Sequence, residues 1–241
     1  MCHESPFYHA GYYLIKMRPI HFGSEVSKRV FTCSTCINVS PLDYWSYSWT
    51  TKNNEGIDKI KEEFQLDDEK ITSIRVWIDR AFEEKRIGWP NVFFELETAR
   101  EYSQTFFSHL LEKRIYGVYF SEPETTDLLA EFDPKKVDYG SIGLFDGLQK
   151  RVPESLSSGE TFIGFDIIGI ECSGDFHTFH CHDISKDLTG RFDLKLNDYG
   201  LFEDSENWKS VTNYMNDEKN GFEPVPWFVC KTTLVNEGKS I

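Results

Sequence analysis

The chain has 241 residues, 39% of them hydrophobic and 15% aromatic, enough to bury a sizeable core and too much for a disordered segment. Forty acidic residues against 26 basic ones leave a formal charge of −14, which disfavours nucleic acid, since phosphate is recognised by clustered Lys and Arg. No run reaches the roughly 20 apolar residues of a membrane helix, and the N-terminus lacks a basic start followed by an apolar stretch, so a cytoplasmic protein with no membrane partner and reduced thiols is expected.

In chain order, "YYLIKMRPI" (12–20) reads as an opening strand ending near Pro19, which cannot donate to a ladder. "VFTCSTCINV" (30–39) is a second strand by its β-branched content. "DYWSYSWTT" (43–51) alternates in steps of two and aligns Trp45, Tyr47 and Trp49 on one face, a candidate binding platform if that face is open.

Helical spacing then takes over. Residues 57–66, 69–86 and 95–113 each carry an apolar stripe at i, i+3 and i+4 spacing, and "GWPNVF" (88–93) turns between the last two. "IYGVYF" (115–120) is a strand. "SEPETTDLLAEF" (121–132) opens a helix with Ser121 and Glu124 at capping-box spacing and Pro123 in the first turn. The three glycines of "GSIGLFDGL" (140–148) read as flexible loop, with a short helix near 141–150.

"TFIGFDIIGIEC" (161–172) is the strongest strand, and with "FHTFHCHDI" after a short turn it makes a hairpin. Residues 205–216 read as a helix capped by Ser205, and "PWFVCKTTLV" (226–235) as a closing strand. The order predicts an α+β fold: a mixed or antiparallel sheet with N- and C-terminal strands and a central hairpin, packed by three to five helices. One domain over 1–241 is expected, with a loop-rich boundary possible near 151–160.

The hairpin carries the candidate chemistry. If residues 176–184 are extended, His180 and His182 share a face about 7 Å apart at Cα and could converge on one ion. Cys181 then points away from both, which removes its adjacent bases. Cys33 and Cys36 form a C-x-x-C pair that could complete a Cys₂His₂ zinc shell, with His9, His21 and Asp187 as other donors. No Gly-x-Ser-x-Gly elbow, HExxH helix, P-loop or EF-hand loop is present, which weighs against an enzyme without deciding the matter.

"GFDIIGIECSGDFHTFHCHDI" (164–184), preceded by "YGVYFSEPETTDLLAEF" (116–132), resembles uncharacterised bacterial cytosolic proteins of the toxin-immunity type. The resemblance implies a small acidic protein without catalytic residues that binds and blocks a basic protein partner. The charge of −14 leads to the same expectation of a binding protein. The alternative is a metal-dependent enzyme or metal-binding protein that uses the His180/His182 pair.

Overall fold

The computed structural model describes residues 6–16, 19–21, 27–29, 40–42, 54–131, 143–154, 159–171, 176–182, 190–203 and 207–236. The fold is α+β, built on a curled seven-stranded antiparallel sheet in the form of a half-barrel.

The strands are β1 (Phe7–Lys16), β2 (Pro19–His21), β3 (Ser27–Arg29), β4 (Ile87–Gly88), β5 (Val92–Phe93), β6 (Lys113–Ser121), β7 (Glu160–Ile170), β8 (Phe176–Thr178) and β9 (Trp227–Val235). The main sheet runs in the order β4-β5-β1-β6-β9-β7-β8, and β2 pairs with β3 apart from it. Pro19 therefore begins a short strand, and the opening strand lies earlier than expected, at 7–16. Residues 30–39 and 43–51, both expected to be strands, lie outside the described residues.

The helices are α1 (Asn54–Phe64), α2 (Asp68–Glu83), α3 (Leu96–Phe107), α4 (Glu122–Glu131), α5 (Gly143–Gln149) and α6 (Trp208–Met215). The apolar stripe of α2 buries Ile71, Ile74, Ile78 and Ala81, and Asp67 caps its start by accepting the N–H of Lys70. Ser121 Oγ accepts the N–H of Glu124 at the head of α4, as the capping-box spacing predicts. The helix expected to reach residue 113 stops at Phe107, Leu111 is exposed in the connection that follows, and β6 begins at Lys113. Helix α6 begins at Trp208, and Ser205 lies outside the described residues. No helix among the described residues is long and apolar enough to cross a membrane.

Helices pack on both faces of the sheet. On the outer face α4 and α5 bury Leu128, Leu144, Phe145 and Leu148 against Ala10, Val118, Phe120 and Ile168. Along the inner face the cover is split. At one end α1, α2 and α3 bury Phe64, Ile78 and Phe107 against Leu14, Ile115 and Val235. At the other end α6 buries Val211 and Met215 against Ile167, Trp227 and Val229. Between these two apolar ends the inner face carries a polar and aromatic middle section.

Bulges produce the curl. The β1–β6 register shifts between His9 and Gly11, and the β7–β9 register shifts between Phe162 and Gly164. Each inserts one residue, Ala10 or Ile163, which turns to the outer core, and an extra residue bends its strand and steepens the twist. Strands β1 and β7 are three places apart in the order, about 14 Å on a flat sheet. The rings of Phe7 and Phe165, one from each strand, nevertheless lie 6.4 Å apart.

Candidate functional site in the half-barrel

Glu160, the first residue of β7, projects into the middle section and gathers donors from three other strands. Tyr12 Oη donates to Glu160 Oε1 at 2.9 Å, while Tyr119 Oη and Thr233 Oγ1 donate to Oε2 at 2.6 and 2.7 Å. Three O–H donors on two oxygens are the pattern of an ionised carboxylate, which only accepts. Gly117 makes room for the group. A Cβ there would lie 2.6 Å from Thr233 Oγ1 and 3.1 Å from Glu160 Oε2.

His9 closes this cluster, its ring centroid 4.3 Å from that of Tyr12 and 5.1 Å from that of Tyr119. Its Nε2 is buried and has no hydrogen-bond partner among the described residues. Burial, reinforced by the nearby Lys150 ammonium, lowers the His9 pKa to about 4, against the opposing pull of Glu160 and the Gly11 backbone. Burial, with the Glu160 carboxylate, pushes both Tyr12 and Tyr119 well above the ordinary tyrosine range. At neutral pH the histidine is therefore neutral and both phenols keep their protons.

One step further along the same face, the Lys231 ammonium pairs with Glu154 at 2.6 Å and lies over the rings of Phe7 and Phe162, 5.1 and 5.3 Å from their centroids. Phe162 is 39% exposed and marks the mouth of the half-barrel. From it, ring contacts run through Phe165 to Trp208. Among the described residues the Lys231 ammonium is thus matched by Glu154, and His9, Tyr12 and Tyr119 keep one protonation state around pH 7.

The histidine hairpin differs from its expected form. Strand β8 pairs with β7, Ile168 opposite Thr178 and Ile170 opposite Phe176, but extends only from Phe176 to Thr178. Residues Phe179–His182 form a 3₁₀ turn. Steps of about 120° replace the alternation of a strand, so the two-residue alternation expected over 176–184 does not hold from Phe179 to His182. Thr178 is the local cause: its hydroxyl donates to the buried Asp166 at 3.1 Å and accepts the N–H of His180 at 3.5 Å, which bends the chain out of the ladder. His180 is 3% exposed, stacks on Phe179, and donates its Nε2–H to the carbonyl of Gly200 at 2.9 Å.

Cys33, Cys36, Trp45, Tyr47 and Trp49 lie outside the described residues, and His182 is placed only as the last residue of the 3₁₀ turn. Among the described residues no group of three or more His, Cys, Asp or Glu side chains is arranged to hold a metal ion. The residues that do converge were not selected from the sequence, apart from His9 as a possible donor. A signal for them exists in Gly117, since a glycine inside a strand marks a close approach of another group.

Two buried histidines and one carboxyl set a pH dependence of stability. Burial lowers His180 to about 4, against its bond to Gly200, as it does His9. An unfolded histidine takes its proton near 6.5, so between these values the unfolded chain holds more protons and stability rises with pH. Glu124 acts oppositely. Burial, with the neighbouring Asp127, raises its carboxyl from 4.5 to about 7, against the Val229 backbone. There the folded chain holds the extra proton, and stability falls as pH rises through that window. For these three groups, two protons against one give a gain from about pH 4.5 to 6.5. In urea unfolding across this range, His180→Gln should flatten the rise and Glu124→Gln should steepen it. Slopes equal to the parent's in both variants would exclude these assignments.

Searches of protein-family models, of curated proteins and of solved structures return no match to this chain.

Proposed function

We propose that this chain is a non-enzymatic binding protein for a basic protein partner, of the kind that occupies and blocks that partner. The observation that carries this reading is the charge. Were all 26 basic residues paired, 14 of the 40 acidic ones would remain unmatched. Such an excess steers a cationic surface towards the protein and rejects acidic ones.

The interior is consistent with this reading. Its carboxylates are held by internal donors, and the groups around Glu160 titrate away from neutrality.

Affinity capture from the host at low salt, followed by reconstitution with the purified partner, tests the proposal. A partner of net positive charge is expected, with an association rate that falls at least tenfold between about 50 and 500 mM salt. Capture of nothing, or of an acidic partner whose association is insensitive to salt, would overturn it.

A further inference from the structure

A cavity of about 590 Å³ opens between the C-terminal end of α2, the β4–β5 hairpin and α5. Its size is that of a small-molecule site. Phe82, Ile87 and Phe94 give it an apolar wall. That wall is closely packed, because α5 sits directly on β4: a Cβ on Gly88 would lie 2.5 Å from the Gly143 Cα and 2.8 Å from Phe94 Cζ.

Two lysines face this wall. Lys150 Nζ lies 4.2 Å from the centroid of the Phe94 ring. Lys85 follows the Glu84 cap of α2 in the left-handed region, at φ +56°, where its N–H bonds the carbonyl of Phe82 and the next N–H bonds that of Ala81. Glycine is the usual residue at that position, and a side chain there is strained. Neither lysine makes an ion pair among the described residues, in a chain where acids outnumber bases 40 to 26. Of the two carboxylates on the lining, Asp146 is engaged by contacts of its own and Glu83 is exposed at the rim.

We propose that this cavity binds a small organic anion with a flat apolar body, of the aryl carboxylate class. The ring lies against Phe82, Ile87 and Phe94, and the carboxylate is held between Lys85 and Lys150. This site is separate from the charge-driven binding of a basic partner and stands or falls without it.

Calorimetric titration with phenylacetate, phenylacetamide and phenethylamine tests the assignment. Phenylacetate should saturate, with the amide and the amine at least tenfold weaker. Lys150→Met and Phe94→Ala should each weaken phenylacetate about tenfold. Lys85→Gly separates binding from folding: relieved of the left-handed side chain, it should unfold at the same urea concentration as the parent or a higher one, yet bind phenylacetate more weakly. Absence of saturable phenylacetate binding, equal binding of the amine, or undiminished binding by both lysine variants would overturn the proposal.

Discussion

Gly147→Ala is expected to destabilise the protein by about 3 kcal/mol or more, although alanine is the better helix former by about 1 kcal/mol. Helix α5 lies on β1 with no side chain between the two backbones. A Cβ on Gly147 would stand 2.7 Å from the carbonyl carbon of Ala10 and nearer still to its oxygen. Ala10 is the extra residue of the β1 bulge, so the clash falls on backbone that the curl of the sheet holds in place. The helix would have to lift, opening the contact that buries Leu144 and Leu148. Gly190→Ala is the control, since nothing lies within 4 Å of a Cβ there, and it should be neutral or slightly stabilising. Urea midpoints followed by circular dichroism measure both. A Gly147→Ala midpoint equal to the parent's would mean that α5 does not lie against the Ala10 carbonyl.

Removing the Glu160 carboxylate should cost a similar amount by a different route. In Glu160→Ala the hydroxyls of Tyr12 and Tyr119 lose their carboxylate acceptor, Thr233 keeps only the Gly117 carbonyl at 3.5 Å, and all three residues are buried. Each unsatisfied donor costs about 1–3 kcal/mol, and water entering the space left by the side chain relieves part of that, so a net loss of about 3–5 kcal/mol is expected. Glu160→Gln keeps one acceptor oxygen but turns an amide N–H₂ towards hydroxyls that were donating, and should cost about half as much. Spectroscopic titration gives a signature that cavity formation alone would not produce. Burial and then the carboxylate raise both tyrosines, so in Glu160→Gln their ionisation should move down towards the ordinary range. If the tyrosines of the glutamine variant ionise no earlier than those of the parent, the carboxylate does not govern them.

The sequence reveals what depends on near neighbours and hides what depends on curvature. Helix α2 is legible because Ile71, Ile74, Ile78 and Ala81 recur on one face, and β7 and β9 are legible as apolar runs between breaks. The hydroxyl of Tyr12 and the carboxylate of Glu160 are 148 positions apart, and two bulges had to bend the sheet before they could meet. Each bulge is one residue in an otherwise regular pattern, and nothing about Ala10 or Ile163 by itself marks it. The short helix expected near 141–150 forms at Gly143–Gln149, but Gly143 and Gly147 read as flexible, since glycine is equally common where a backbone must move and where another must come close. Here it serves the second purpose, inside a helix. The 3₁₀ turn at Phe179–His182 escaped for a similar reason: residues 176–184 alternate like a strand, and only the bond from Thr178 to Asp166 shows where the strand stops.

The strand order carries a consequence for how the molecule behaves in a crowd. Among the described residues the main sheet ends in β4, two residues long, on one side and in β8, three residues long, on the other. A second chain arriving at either margin would find only two or three positions to pair with before the backbone turns away. The long strands β1, β6, β9 and β7 are interior in the order, and where β5 and β8 fall short, Val152 and Glu154 bond the margin of β1 and Asn197 and Phe202 that of β7. Among the described residues the half-barrel thus leaves incoming strands only short margins without closing into a full ring.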